Sequence, residues 1–283
     1  MSKFHDNHIM HIKEISFLIQ DMKRSLEFYC DILGFTILDR KHHTVILTAN
    51  QKDPIITLIE DRTAIPQDIT LGLYHVAFLL PNRLSLAAVI KQLNTKRYPL
   101  TGASDHGVSE AIYLDDPDGN GIEIYSDKPE SVWPMENGKK TMYTRHLDLN
   151  DLMKNLPQTS YTSIDEETII GHLHFHVRNL DDARKYYCDA LGFEVVMYYM
   201  KSALFVSSSG YHHHVGLNTW VGDAPLPKVR QVGLKSYVLS VPKDLYPVFI
   251  RRLSEYKIPL MVDDDKKYIL DPMNQKIVIN VSK

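Results

Sequence analysis

Leu26-Glu-Phe-Tyr-Cys-Asp-Ile-Leu-Gly-Phe35 returns later in the chain as Arg184-Lys-Tyr-Tyr-Cys-Asp-Ala-Leu-Gly-Phe193. An internal repeat constrains architecture before any local feature does. Each copy follows a β-like run, carries an aspartate (Asp21 or Asp181) where a helix N-cap is wanted, and closes on Gly34 or Gly192 where a left-handed residue ends a helix. In the first copy, Met22, Leu26, Tyr29 and Leu33 fall on one helical stripe. Upstream, Ile15, Phe17 and Ile19 alternate with Glu14, Ser16 and Leu18 as in a strand with two different faces. Residues 35–38, 44–49 and 55–59 supply three further strands between turn-rich breaks. The unit reads β-α-β-β-β.

A second pair of copies fills the space between the first. Gly72-Leu-Tyr-His-Val-Ala-Phe-Leu-Leu-Pro81 answers to Gly233-Leu-Lys-Ser-Tyr-Val-Leu-Ser-Val-Pro242, and helical stretches follow at residues 84–93 and 245–256. Asp116-Pro-Asp-Gly-Asn-Gly-Ile-Glu-Ile-Tyr125 answers to Asp271-Pro-Met-Asn-Gln-Lys-Ile-Val-Ile-Asn280. The expected fold is therefore α+β: four βαβββ modules forming two open, barrel-like paired-module domains. A curved four-stranded sheet cannot leave its concave face exposed, so two modules must close over each other and enclose a pocket. We place an N-terminal domain at 9–126 (modules one and two), a linker at 127–168 and a C-terminal domain at 169–283 (modules three and four). The linker is polar, holds Pro129, Pro134, Pro157 and Gly138, and has room for one short helix near Leu147.

A chain of 283 residues with 44% hydrophobic content can bury two cores. The net charge of −3 and the lack of a basic run exclude a nucleic-acid surface. No apolar stretch nears the roughly 20 residues needed to cross a bilayer, and the first ten residues are polar, so a cytoplasmic protein is expected. Cys30 and Cys188 sit at equivalent repeat positions and read as reduced core residues. Self-association is left open.

The repeated aromatic-Tyr-Cys-Asp-x-Leu-Gly-Phe and the Asp116 to Glu123 segment resemble the vicinal oxygen chelate superfamily of glyoxalases, antibiotic-binding proteins and extradiol dioxygenases. The resemblance covers nearly the whole chain. It implies metal ligands on the first and last strands of a module. At those positions the first strands offer Glu14, His75, His172 and Ser236, and the last strands Thr57, Glu123, Gly216 and Val278. His75, His172 and Glu123 remain, with Glu14 as an odd member; two imidazoles and one carboxylate suit Fe(II) and, as second choice, Mn(II). They lie in modules two and three, so module two is expected to close on module three, and module one on module four.

The same resemblance places His213, within Gly210-Tyr-His-His-His-Val-Gly-Leu217, as the acid-base histidine. It places Tyr113, ten residues before Glu123, as the phenol bonded to a substrate oxygen, and puts His106 near a second active-site histidine. The implied reaction is extradiol cleavage of a catechol-type small aromatic by O₂, of the catechol 2,3-dioxygenase kind. Histidine suits proton transfer near neutral pH, and a buried phenol can donate to a developing oxyanion.

Plainer readings stand beside these. A histidine in an apolar strand is often hydrogen-bonded core, and Glu123 between Ile122 and Ile124 could pair with a Lys or Arg, although without a cation it is expensive to bury ionised. Strand alternation lets either His213 alone or His212 with His214 face the pocket. His174 and His176 share a face with His172. Two rival functions are a glyoxalase-like isomerase using Glu14, His75 and Glu123, and a metal-free protein that binds aromatic ligands or antibiotics.

Overall fold

The computed structural model describes residues 2–154, 156 and 161–282. Module one contributes strands His11–Ile19, Thr36–Lys41, Thr44–Thr48 and Ile56–Glu60, and module two Gly72–Leu80, Gly102–Asp105, Ser109–Asp115 and Gly121–Asp127. Module three contributes Ile169–His176, Glu194–Tyr199, Ala203–Ser207 and Val215–Asn218, and module four Gly233–Pro242, Met261–Asp263, Lys266–Leu270 and Lys276–Ser282. Within each module the first strand runs parallel to the last.

Sheet formation crosses the chain order. An eight-stranded sheet joins modules four and one, and a nine-stranded sheet joins modules two and three. The first strands meet antiparallel in both sheets, Gly72–Leu80 beside Ile169–His176 and His11–Ile19 beside Gly233–Pro242. Modules adjacent in sequence meet instead through side chains. Phe35 packs on Phe78 between modules one and two, and Phe175 on Tyr237 between modules three and four. The repeated tyrosine adds a polar tie: Tyr29 Oη donates to Asp116 Oδ2 at 2.9 Å and Tyr187 Oη to Asp271 Oδ2 at 3.0 Å. Each aspartate also accepts backbone N–H groups of its own turn. The repeated motif therefore locks the helix of one module to the last turn of the next.

The helices depart from the sequence reading in two respects. Met22–Leu26 and Leu180–Arg184 are α-helical, but each continues as a π-helical turn, Glu27–Ile32 and Lys185–Ala190. The wider turn brings Phe28 into the core beside Tyr29 and leaves Leu26 only partly buried. Asp21 caps its helix as expected, accepting from the Arg24 N–H, whereas in the third module the cap is Asn179 and not Asp181. Asn179 is the residue that aligns with Asp21, and Asp181 supplies an N–H in the first turn. Gly34 and Gly192 have φ of 87° and 98°, a region open to glycine at no steric cost.

Helices Arg83–Thr95 and Tyr246–Glu255 occupy the helical stretches of modules two and four. Cys30 and Cys188 are free thiols, each pushed up to about 11 by burial. The segment between the modules forms the hairpin Met135–Glu136 with Lys139–Lys140, a strand Arg145–His146 on the edge of Gly102–Asp105, and the short helix Leu149–Met153. Pro157 lies outside the described residues. Among the described residues, no helix is long and apolar enough to cross a membrane.

Candidate metal centre

Strand register assembles the site. Tyr113 pairs with Glu123, Glu123 with Ala77, and Ala77 with His172, one row across four adjacent strands. Residues paired in this way share a face. Ala77 is the small member of the row, so the longer Glu123 and His172 side chains converge above it. His75 lies two positions along the same strand, on the same face.

His75 Nε2 is 3.0 Å and His172 Nε2 3.4 Å from one carboxylate oxygen, Glu123 Oε2, and the two nitrogens are 3.4 Å apart. Their residues are 5%, 1% and 3% exposed for His75, His172 and Glu123, so all three are buried. Burial moves the His172 imidazole down to about 4 despite the nearby carboxylate. Burial would raise Glu123, but His172 and His75 outweigh it and hold the carboxyl well below its usual range. Three convergent lone-pair donors, one of them anionic, fit a divalent cation. Two imidazoles and one carboxylate are the facial set that leaves coordination positions open. Among the described residues, no other trio of His, Cys, Asp or Glu side chains converges in this way.

Glu14 is elsewhere. It pairs with Val238 in the sheet of modules one and four, and burial raises its carboxyl. At Gly216, the module-three counterpart of Glu123, a Cβ would come within 2.8 Å of the His174 ring, so that corner of the site is filled by an imidazole.

A cavity of about 240 Å³ opens over the cluster. Phe205, Tyr199, Trp220 and Tyr74 give it aromatic walls, His174 stands between them, and Met142, Tyr143 and Thr144 of the inter-module segment form one side. Both Tyr113 and His106 line it, with Tyr113 Oη 2.7 Å from His106 Nε2. His106 Nδ1 lies 3.1 Å from the Tyr143 carbonyl oxygen. A carbonyl can only accept, so Nδ1 carries the His106 proton and Nε2 accepts from the phenol. Burial and the Glu123 carboxylate raise Tyr113 well above the ordinary phenol range, so it stays protonated.

His213 also lines the cavity, its ring 4.0 Å from that of His172. Its neighbours bond elsewhere, in the irregular turn that precedes the strand Val215–Asn218: His212 reaches Asp127, and His214 reaches the Phe4 carbonyl and the Ser208 N–H. His176 bonds Asn218 and borders a separate cleft. The sequence reading missed the aromatic walls and the role of residues 142–144. Their aromatic character was visible, but nothing local tied them to the site.

Gly121 has a steric reason to lack a side chain, since a Cβ would sit 2.2 Å from the Tyr74 carbonyl oxygen, beside His75. Gly121→Ala is expected to cost about 1–3 kcal/mol through overpacking. This will read as a lower urea midpoint at unchanged slope.

Comparison with known proteins gives the family. The family model described as Glyoxalase/Bleomycin resistance protein/Dioxygenase superfamily matches residues 7–124. Catechol-2,3-dioxygenase of Bacillus subtilis (strain 168) is 41% identical over 247 residues, covering 86% of each chain. The chain belongs to this superfamily. A further superfamily relative, biphenyl-2,3-diol 1,2-dioxygenase 3 of Rhodococcus globerulus, is 29% identical over 36% of this chain and 55% of its own. Among solved structures, glyoxalase I from Zea mays superposes with a TM-score of 0.58 at 13% identity, covering 96% of this chain and 92% of that one. That likeness is one of fold.

Proposed function

We propose that the protein is a metal-dependent extradiol dioxygenase that opens a catechol-type ring with O₂, inserting both oxygen atoms and breaking the ring bond beside the diol. His75, His172 and Glu123 would hold the metal, Fe(II) first and Mn(II) second. The observation that carries this reading is the convergence of two imidazoles and one carboxylate at the floor of a small aromatic-walled cavity. The 41% identity to a catechol-2,3-dioxygenase supports it independently.

Held by His75, His172 and Glu123, the metal would supply the redox chemistry that lets a catechol react with O₂. The chain's own residues do the rest. At about 240 Å³ the cavity is below the roughly 300–1,000 Å³ of pockets for drug-sized ligands, which suits a single ring. Its lining includes no Lys or Arg, so a neutral catechol is preferred over one bearing a carboxylate. Phe205, Tyr199 and Trp220 offer faces and edges to the ring. His213, kept well below the ordinary imidazole range by burial, presents a neutral ring able to take a hydroxyl proton and later return it. Tyr113, whose O–H rests on His106 Nε2 in the open cavity, would exchange that bond for one to the second substrate oxygen when the ring binds.

The test is reconstitution with Fe(II) in the absence of air, followed by catechol and oxygen, recording O₂ uptake and the yellow ring-opened product. Stoichiometric uptake with product is expected. Absence of uptake by protein carrying its full complement of iron, across neutral one-ring catechols, overturns the proposal.

A further inference from the structure

Behind His213 lies a hydrogen-bonded line that the proposed reaction has not yet used. His213 Nδ1 is 2.9 Å from His212 Nδ1, and His212 Nε2 is 2.8 Å from Asp127 Oδ1. Asp127 stands at the end of the strand that carries Glu123, and its carboxylate also accepts from Tyr211 Oη, at 3.0 Å from Oδ2. The His212 ring is fully buried, with Tyr211 tilted against it at 3.9 Å and Trp133 edge-on at 5.3 Å.

Proton accounting along this line has few solutions. A carboxylate accepts, so Nε2 of His212 carries the proton of that ring. A neutral His212 then has a bare lone pair on Nδ1, and the contact between the two Nδ1 atoms needs one proton, which must come from His213. The proton of His213 is thereby held on Nδ1, and Nε2 is left as the lone-pair nitrogen of the ring that lines the cavity. Which nitrogen of an imidazole is protonated is set by the bond that the other one makes.

We propose that Asp127 and His212 are positioning residues that fix His213 as its Nδ1–H tautomer, with Nε2 as the base. The catalytic part rests on the function proposed above, whereas the tautomer does not. The relay joins modules two and three, because Asp127 comes from one and both histidines from the other. The base is therefore set only once the crossed pair has formed.

The deciding experiment is long-range ¹H–¹⁵N correlation on metal-free protein labelled at histidine nitrogens, at a single neutral pH, with assignments from His212→Gln and His213→Gln. The expected pattern is Nδ1–H for His213 and Nε2–H for His212. A proton on His213 Nε2, or a doubly protonated His212, overturns the proposal. In Asp127→Asn an amide can donate where the carboxylate accepted. His213 should then shift toward Nε2–H, and in the iron-loaded enzyme kcat should fall about 10–100-fold while KM changes by less than about twofold.

Asp127→Glu, which keeps the carboxylate, should recover part of both readouts. Tyr211→Phe, which removes the other bond to Asp127, should leave the tautomer in place and so controls for packing. Unchanged nitrogen pattern and kcat in Asp127→Asn would sink the relay. The expected nitrogen pattern in protein that turns over no catechol would leave the relay standing and reject the reaction instead.

Discussion

His172→Ala is expected to abolish metal binding and ring opening, while Glu14→Ala leaves both intact. The argument is geometric. His172 supplies one of three donors within 3.4 Å of Glu123 Oε2 or of each other, whereas Glu14 belongs to the other sheet, opposite Val238. Removing a ligand should lower affinity by more than the about 10–100-fold that loss of an outer partner typically costs. Metal content after dialysis, measured with iron and with a redox-inert ion, reads this directly. The opposite ranking of the two variants would restore the isomerase reading, in which Glu14 joins His75 and Glu123. The folded arrangement stands against that set, because the residues come from different sheets.

His213→Ala should reduce kcat by about 10²–10⁴-fold, the usual worth of a positioned general acid or base, with metal content unchanged. His213 lies against the His172 ring at a tilt of 48° without joining the donor cluster, so a proton-transfer role separates from a ligand role in this one variant. Steady-state O₂ uptake gives kcat, and metal analysis of the same sample gives occupancy. Loss of metal together with activity would make His213 a structural support of His172, and full activity would remove it from the chemistry. Tyr113→Phe is the milder counterpart: it removes the hydroxyl bonded to His106 and leaves the row of Glu123, Ala77 and His172 intact.

The two helices show how far sequence pattern reaches. The placement of both was legible from Gly34 and Gly192 and from the apolar stripe, because a cap and a 3.6-residue period are properties of neighbouring residues. The π-helical turns were not legible, since a stripe at spacings of four, three and four suits an α-helix equally well. The cap of the third-module helix is Asn179 and not the expected Asp181, and the repeat itself aligns Asn179 with Asp21. The triple histidine is partly legible: the expectation that His213 faces the cavity without His212 and His214 agrees with the structure, but the three sit in an irregular turn before the strand Val215–Asn218, and the partner of His212, Asp127, is far away in sequence.

By itself the sequence determined the four modules, the strand-helix order within each, and the residue types available at the ligand positions, because repeats, periodicity and side-chain chemistry are written locally. The crossed pairing was inferred from chemistry alone, as the arrangement that brings His75, Glu123 and His172 together. Only the tertiary structure decided that the Gly72–Leu80 strand lies beside Ile169–His176 in the register that sets Glu123, Ala77 and His172 in one row. It also brought residues 142–144 to the cavity and Asp127 to His212. All four first strands carry similar apolar alternation, so edge hydrogen bonding alone does not choose among partners. The contacts that accompany the pairing, Phe35–Phe78, Phe175–Tyr237 and the tyrosine–aspartate ties between consecutive modules, join distant segments that no local window of the chain contains.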